Sequence, residues 1–106
     1  MKKNFILVVP ENVQLVANET RVCQDDVVSF NCSAVGNPVV HTYQLYENNM
    51  LIGSSSSGVW SRKMSSGGMF NYTCMANNTA GTANSTSSVS ITVNGIYMKS
   101  YTKYLY

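Results

Sequence analysis

Residues 70–81 read FNYTCMANNTAG, and the fold turns on how they are understood. Phe70, Tyr72, Cys74 and Ala76 alternate with Asn71, Thr73 and Met75, the period of two that sends successive side chains to opposite faces of a strand. The asparagine-rich NNTAG behind them ends in Gly81, the composition of a hairpin turn. Tyr72 therefore shares a face with Cys74 and sets a large ring beside its thiol. A lone buried thiol needs no such neighbour; a cysteine tied to a facing sheet would.

The same period continues in both directions. In DVVSFNCSAV, Val28, Phe30 and Cys32 fall on one face, with Ser29, Asn31 and Ser33 on the other. GNP turns the chain, HTYQLYE places Tyr43 with Leu45, and the NN before MLIG predicts a hairpin. SSSSG reads as a flexible loop, and VWSRKM as a weaker strand with Val59 and Met64 inward, which turns Trp60 outward unless a slipped register buries it. Near the N-terminus FILVV is expected to stop at Pro10, with VQLV as the next piece. The last strand presents Val89, Ile91 and Val93. Seven or eight short strands within about 90 residues predict an all-β, two-sheet antiparallel sandwich. No window carries a helical apolar spacing, and no internal repeat appears.

At 106 residues the chain has room for one domain. Its formal charge of +2 comes from the ends, where Lys2, Lys3, Lys99 and Lys103 lie. Between Phe5 and Asn94, three basic residues (Arg21, Arg62, Lys63) face five acids (Glu11, Glu19, Asp25, Asp26, Glu47), a net of −2. A nucleic-acid surface needs clustered basic residues, so that class of partner is excluded. Five Asn-x-Ser/Thr sequons begin at Asn18, Asn31, Asn71, Asn77 and Asn84, candidate N-glycosylation sites that point to a secretory origin. The apolar run Phe5–Val9 is too short for a signal peptide, and no run is long enough to span a membrane. The chain therefore reads as a fragment of a longer extracellular or cell-surface protein, with no membrane insertion of its own.

At Cys32 and Cys74 the sequence resembles an immunoglobulin-like domain of the short intermediate-set or C2 type, over residues 5–94. VVSFNC matches the B strand of that family, and YTCMANNTAG its F strand, F–G turn and the start of G. The resemblance implies a Greek-key sandwich, a Cys32–Cys74 bridge between the sheets, and Tyr72 as a tyrosine corner bonding back to the chain. It also implies a positive φ at Gly81. Three departures stand out. The tryptophan that packs on the bridge is replaced by Leu45, beside Tyr43. Gly68 stands in place of the acid six residues before the second cysteine, and Phe70 in place of the glycine four before it. The family's ion pair at that corner is thus lost. Residues 1–4 are expected to be an N-terminal extension, and residues 95–106, with four tyrosines, a tail or linker.

The third cysteine, Cys23, sits in RVCQDD leading into the B strand. It reads as a half-buried small apolar residue or as an unpaired cysteine for an intermolecular bridge or a bridge to a neighbouring domain. His41, the single histidine, has no flanking metal ligands, and serine is too abundant for a Ser–His–Asp combination with Asp25 or Asp26 to carry weight. Gly67-Gly68 lacks a phosphate-loop context. The sequence implies no enzyme, no metal and no cofactor. The outward residues Gln44, Tyr46, Thr73 and Met75, with Trp60 on the other sheet, form the expected partner-contact surface. Together these features predict a protein-binding module of an adhesion or recognition protein, homophilic or heterophilic, with neighbouring immunoglobulin-like domains in the parent chain. A glycosylated spacer with no binding of its own is the alternative.

Overall fold

The computed structural model describes residues 6–95. The expected N-terminal extension (residues 1–4) and, beyond Gly95, the tyrosine-rich tail lie outside the described residues. The strands are β1 (Val8–Ala17), β2 (Arg21–Cys23), β3 (Val27–Asn37), β4 (Thr42–Glu47), β5 (Met50–Ser55), β6 (Val59–Lys63), β7 (Gly68–Asn78), β8 (Gly81–Asn84) and β9 (Val89–Asn94). One sheet runs β1-β3-β6 and the other β2-β9-β7-β4-β5, with β8 also paired to β7. The all-β sandwich expected from the alternation is what the chain forms. One pair departs from the antiparallel pattern: β2 runs parallel to β9. The first strand crosses between the sheets through Asn18–Thr20, which puts β1 beside β3 and β2 beside β9.

The alternating residues close face to face. Val13, Val28, Phe30, Cys32, Leu45, Tyr72, Cys74, Ala76 and Ile91 are each 0–1 % exposed. Their burial is the main favourable contribution to folding, about 1.5–3 kcal/mol for each large aliphatic side chain. Cys32 and Cys74 are bonded across the sheets, with Cα atoms 6.3 Å apart. Beside them the rings of Phe30 and Tyr72 pack at a centroid distance of 4.5 Å.

Three local expectations need correcting. Pro10 does not end a strand: β1 runs through it, with register shifts between Val8 and Glu11 and between Glu11 and Gln14. A proline lacks a ladder donor, so it is tolerated where the pairing slips. SSSSG is not a flexible loop. The Ser55 hydroxyl accepts hydrogen bonds from the amides of Ser57 (3.0 Å) and Gly58 (3.1 Å), and the Gly58 carbonyl accepts from Cys32 N at 2.7 Å. Gly58 has φ 78°, and a Cβ there would stand 2.3 Å from the Cys32 carbonyl, so the turn requires glycine.

The third correction concerns β6. Phe30 lies opposite Trp60 and Asn31 opposite Val59. Phe30 is buried, so Trp60 turns inward and packs on the core, while Val59 is 53 % exposed. Met64 is inward as expected, at 3 % exposure. The indole lies over Gly53 of β5, where a Cβ would come within 3.1 Å of Cδ1 and Nε1. Space beside Leu45, which is paired with Gly53, is thus filled by a tryptophan from a different strand.

Candidate functional site

The outward side chains of β4 and β7 meet in two cross-strand rows. Gln44 lies opposite Met75, and Tyr46 opposite Thr73. Leu51 extends the second row from β5, and Asn84 the first from β8. These positions face away from the core because their chain neighbours Leu45, Tyr72, Cys74 and Ala76 face into it. Tyr46, Asn49, Thr73, Asn84 and Ser85 line an open concavity of about 400 Å³. No charged side chain lines it. A phenol ring on a shallow uncharged surface suits contact with a protein: it offers apolar area, a hydroxyl and few rotatable bonds. Trp60, expected to join the contact surface, is excluded by its inward packing.

The sequons divide between the sheets. Asn71, Asn77 and Asn84 stand on the same outward face as Tyr46 and Met75. Asn77 is not in the turn, as its sequence position suggested, but within β7, half-buried, and its amide donates to the Thr42 carbonyl at 3.4 Å. Asn31 faces outward from β3. Asn18 follows β1, and its side-chain oxygen accepts from Ser29 N at 2.9 Å. The adjacent Asn78 has a purely internal task. It is 6 % exposed, donates to the carbonyls of Val8 and Pro38 (both 2.8 Å), and accepts from the amides of Ala80 (2.9 Å) and Gly81 (3.1 Å). It therefore ties the F–G turn to β1 and to the chain before β4.

A polar cluster closes the opposite end. The Tyr72 ring is fully buried, and its hydroxyl donates to the Glu47 carboxylate, with Met64 Sδ 3.6 Å away. Arg62 grips the same carboxylate with two hydrogen bonds, Nε to Oε2 at 3.0 Å and Nη2 to Oε1 at 3.1 Å. The tyrosine of the resemblance was expected to bond back to the chain; here its hydroxyl meets a side chain. The ion pair counted as lost at Gly68 has a substitute from other strands, Glu47 of β4 and Arg62 of β6. Burial pulls the Glu47 carboxyl upward, but hydrogen bonds from Arg62 and Tyr72 and the Arg62 charge outweigh it and hold the group below its ordinary range. Burial, then the Glu47 carboxylate, push the Tyr72 hydroxyl up. The guanidinium is pushed up by its bond to Glu47.

The remaining candidates scatter. Cys23 is buried at the end of β2, 9 % exposed, which removes the access an intermolecular bridge requires. The Asp26 carboxylate accepts from Cys23 N at 2.9 Å and shapes the turn into β3, while Asp25 beside it is exposed. Exposed His41 has Nδ1 2.8 Å from the Thr42 hydroxyl. Among the described residues no three His, Cys, Asp or Glu side chains gather where a metal ion could be held.

The immunoglobulin domain family matches residues 12–93, most of the chain. The chain belongs to the immunoglobulin domain family. No curated protein sequence matches it significantly. Its fold is similar to the fibronectin(III)-like modules of Clostridium thermocellum CbhA, at 18 % identity and TM-score 0.71, over 88 % of this chain and 50 % of that one. It is also similar to the tandem Ig repeats of Dlar, at 23 % identity and TM-score 0.58, over 79 % of this chain and 50 % of that one. The N-terminal four Ig domains of Dscam1 isoform 7.44 match at 20 % identity and TM-score 0.52, over 78 % of this chain and 20 % of that one. This immunoglobulin domain thus spans half or less of each of those chains. It is a module of the kind found in extracellular proteins, on a fold that is generally non-enzymatic.

Proposed function

We propose that this immunoglobulin domain is an extracellular protein-binding module of an adhesion or cell-surface recognition protein, and that it binds through the outer face of β4 and β7. The observation that carries this reading is the row Leu51–Tyr46–Thr73, which places an aromatic and an exposed aliphatic side chain on an uncharged surface. The partner is a protein, either another copy or a different chain. One such face gives weak contact, and repetition of the domain along a parent chain multiplies it. The Ig repeats among the similar structures support that arrangement. The disulfide and the five sequons favour the extracellular setting.

A second reading, a glycosylated spacer, is favoured by one observation: Asn71, Asn77 and Asn84 share the face that would bind. Sedimentation of secreted and sugar-free protein at high micromolar concentration separates the two. Self-association that disappears in Tyr46→Ala with the melting temperature preserved supports homophilic binding. Association only after the sugar is removed supports the spacer. Association unaffected by Tyr46→Ala in both forms would rule out this face as a homophilic contact.

A further inference from the structure

We propose that Asn31 carries an N-linked glycan whose first N-acetylglucosamine lies over Val16 and Val59 and covers the outer face of the three-stranded sheet. The inference rests on the extracellular reading above and concerns the opposite face of the sandwich. In the pairing register Asn31 stands at the centre of one row, opposite Val16 on β1 and opposite Val59 on β6. All three side chains point away from the core. Val16 is 58 % exposed and Val59 53 %, on strands that nothing in the described chain covers. Directly opposed residues in a sheet have Cβ atoms about 4.5–5.5 Å apart, so both valines lie within reach of a group attached to the asparagine.

The neighbouring rows sharpen the contrast. Ser29 pairs with Ser61 on one side, and Ser33 with Gln14 on the other. The Val16–Asn31–Val59 row is an apolar pair flanked by two polar rows, with an asparagine in the middle; the other exposed valines on this face of β3, Val27 and Val35, stand two rows away, opposite Lys63 and Glu11. Among the five sequons this environment is particular to Asn31. Asn18 uses its side-chain oxygen on Ser29 N, Asn77 its amide on Thr42, and Asn71 lies opposite Ser90. Asn84 has one apolar neighbour, the half-buried Met75. A pyranose ring has hydroxyls around its rim and a C–H face across it, which fits a flat pair of valines and leaves the rim in water.

The linkage forms at the Asn31 carboxamide nitrogen. That nitrogen bonds to C1 of an oligosaccharide carried on a polyprenyl diphosphate donor. The C1–O bond breaks, the lipid diphosphate leaves with the bonding pair, and the amide gives up one proton. Ser33 completes the sequon and is exposed, so Ser33→Ala abolishes attachment without changing Asn31 or the core.

The test uses the chain secreted from eukaryotic cells, with glycopeptide mapping and thermal melting. Asn31 is expected to be occupied. S33A should melt lower by about 4 °C or more. Trimming the wild-type glycans to the single first sugar should leave the melting temperature unchanged. In a Val16→Ser, Val59→Ser background the S33A decrement should fall to less than half. N31Q serves as a second sugar-free variant should S33A fail to accumulate. A bare Asn31 with sugar on other sequons overturns the inference and leaves the extracellular reading standing; five bare asparagines overturn both. An occupied Asn31 whose loss does not lower the melting temperature, or lowers it equally in the serine background, also overturns the inference.

Discussion

The Tyr72 hydroxyl, the Glu47 carboxylate and the Arg62 guanidinium behave as one unit, because the carboxylate accepts from both partners. The arrangement lowers the folded-state pKa of Glu47 below its ordinary value of 4.5. Its contribution to stability is therefore fully present above that value and lost as pH falls through the folded pKa. Glu47→Gln should cost about 1–2 kcal/mol at neutral pH. The gap between wild type and variant should stay level from about pH 5 to 8 and narrow below about pH 4.5. Chemical denaturation across that range reads it. A gap that widens on acidification would show that the carboxylate is not stabilised by the fold.

At the scale of the element, β6 shows how much depends on one register. Trp60, Arg62 and Met64 share parity and all turn inward; Val59 belongs to the opposite set. Val59 and Met64 cannot both face the core of a regular strand, and anchoring β6 on the buried Met64 brings Trp60 and Arg62 in with it. The signal was therefore present in the sequence, but the apolar character of Val59 concealed it. A short strand with valine beside tryptophan has two plausible inward faces, and only its pairing with β3 selects one. Trp60→Ala should consequently destabilise the fold by about 3–5 kcal/mol through the cavity it leaves over Gly53. It should not act as a surface mutation. A melting temperature within a degree or two of wild type would return Trp60 to the surface. By contrast the middles of β3, β4 and β7 were legible, because alternation there admits one inward set, whereas Gly36 and Asn37 at the end of β3 and Asn77 and Asn78 at the end of β7 were read as turns.

For the whole molecule, the Cys32–Cys74 bridge joins the sheets across a sequence separation of 42. Closing a loop of that length removes about 4 kcal/mol of conformational freedom from the unfolded chain, against roughly 5–15 kcal/mol of total stability for a small domain. Cys32→Ala with Cys74→Ala should leave no cooperative thermal transition. A double variant that still melts cooperatively would show that packing around Phe30 and Tyr72 suffices by itself.

The same scale decides which surfaces compete. Taken along the chain, the sequons and the contact residues are separate features. Folded, Asn71, Asn77 and Asn84 share the outward face of Gln44, Tyr46, Thr73 and Met75: Asn71 and Asn77 have the parity of Thr73 and Met75 on β7, and β8 sets Asn84 opposite Met75. The sequence alone determined the all-β class and the inward sets Val28–Phe30–Cys32, Tyr43–Leu45 and Tyr72–Cys74–Ala76, which follow from the period of two, and through the resemblance the two cysteines that meet. Only the tertiary structure decided that Trp60 is core, that Glu47 meets Arg62 beneath Tyr72, and that Asn31 lies between two exposed valines. The physical reason is common to all three. Alternation tells which face a residue takes within its own strand, whereas a neighbour on another strand depends on register, and register is set by how two separate faces close on one core.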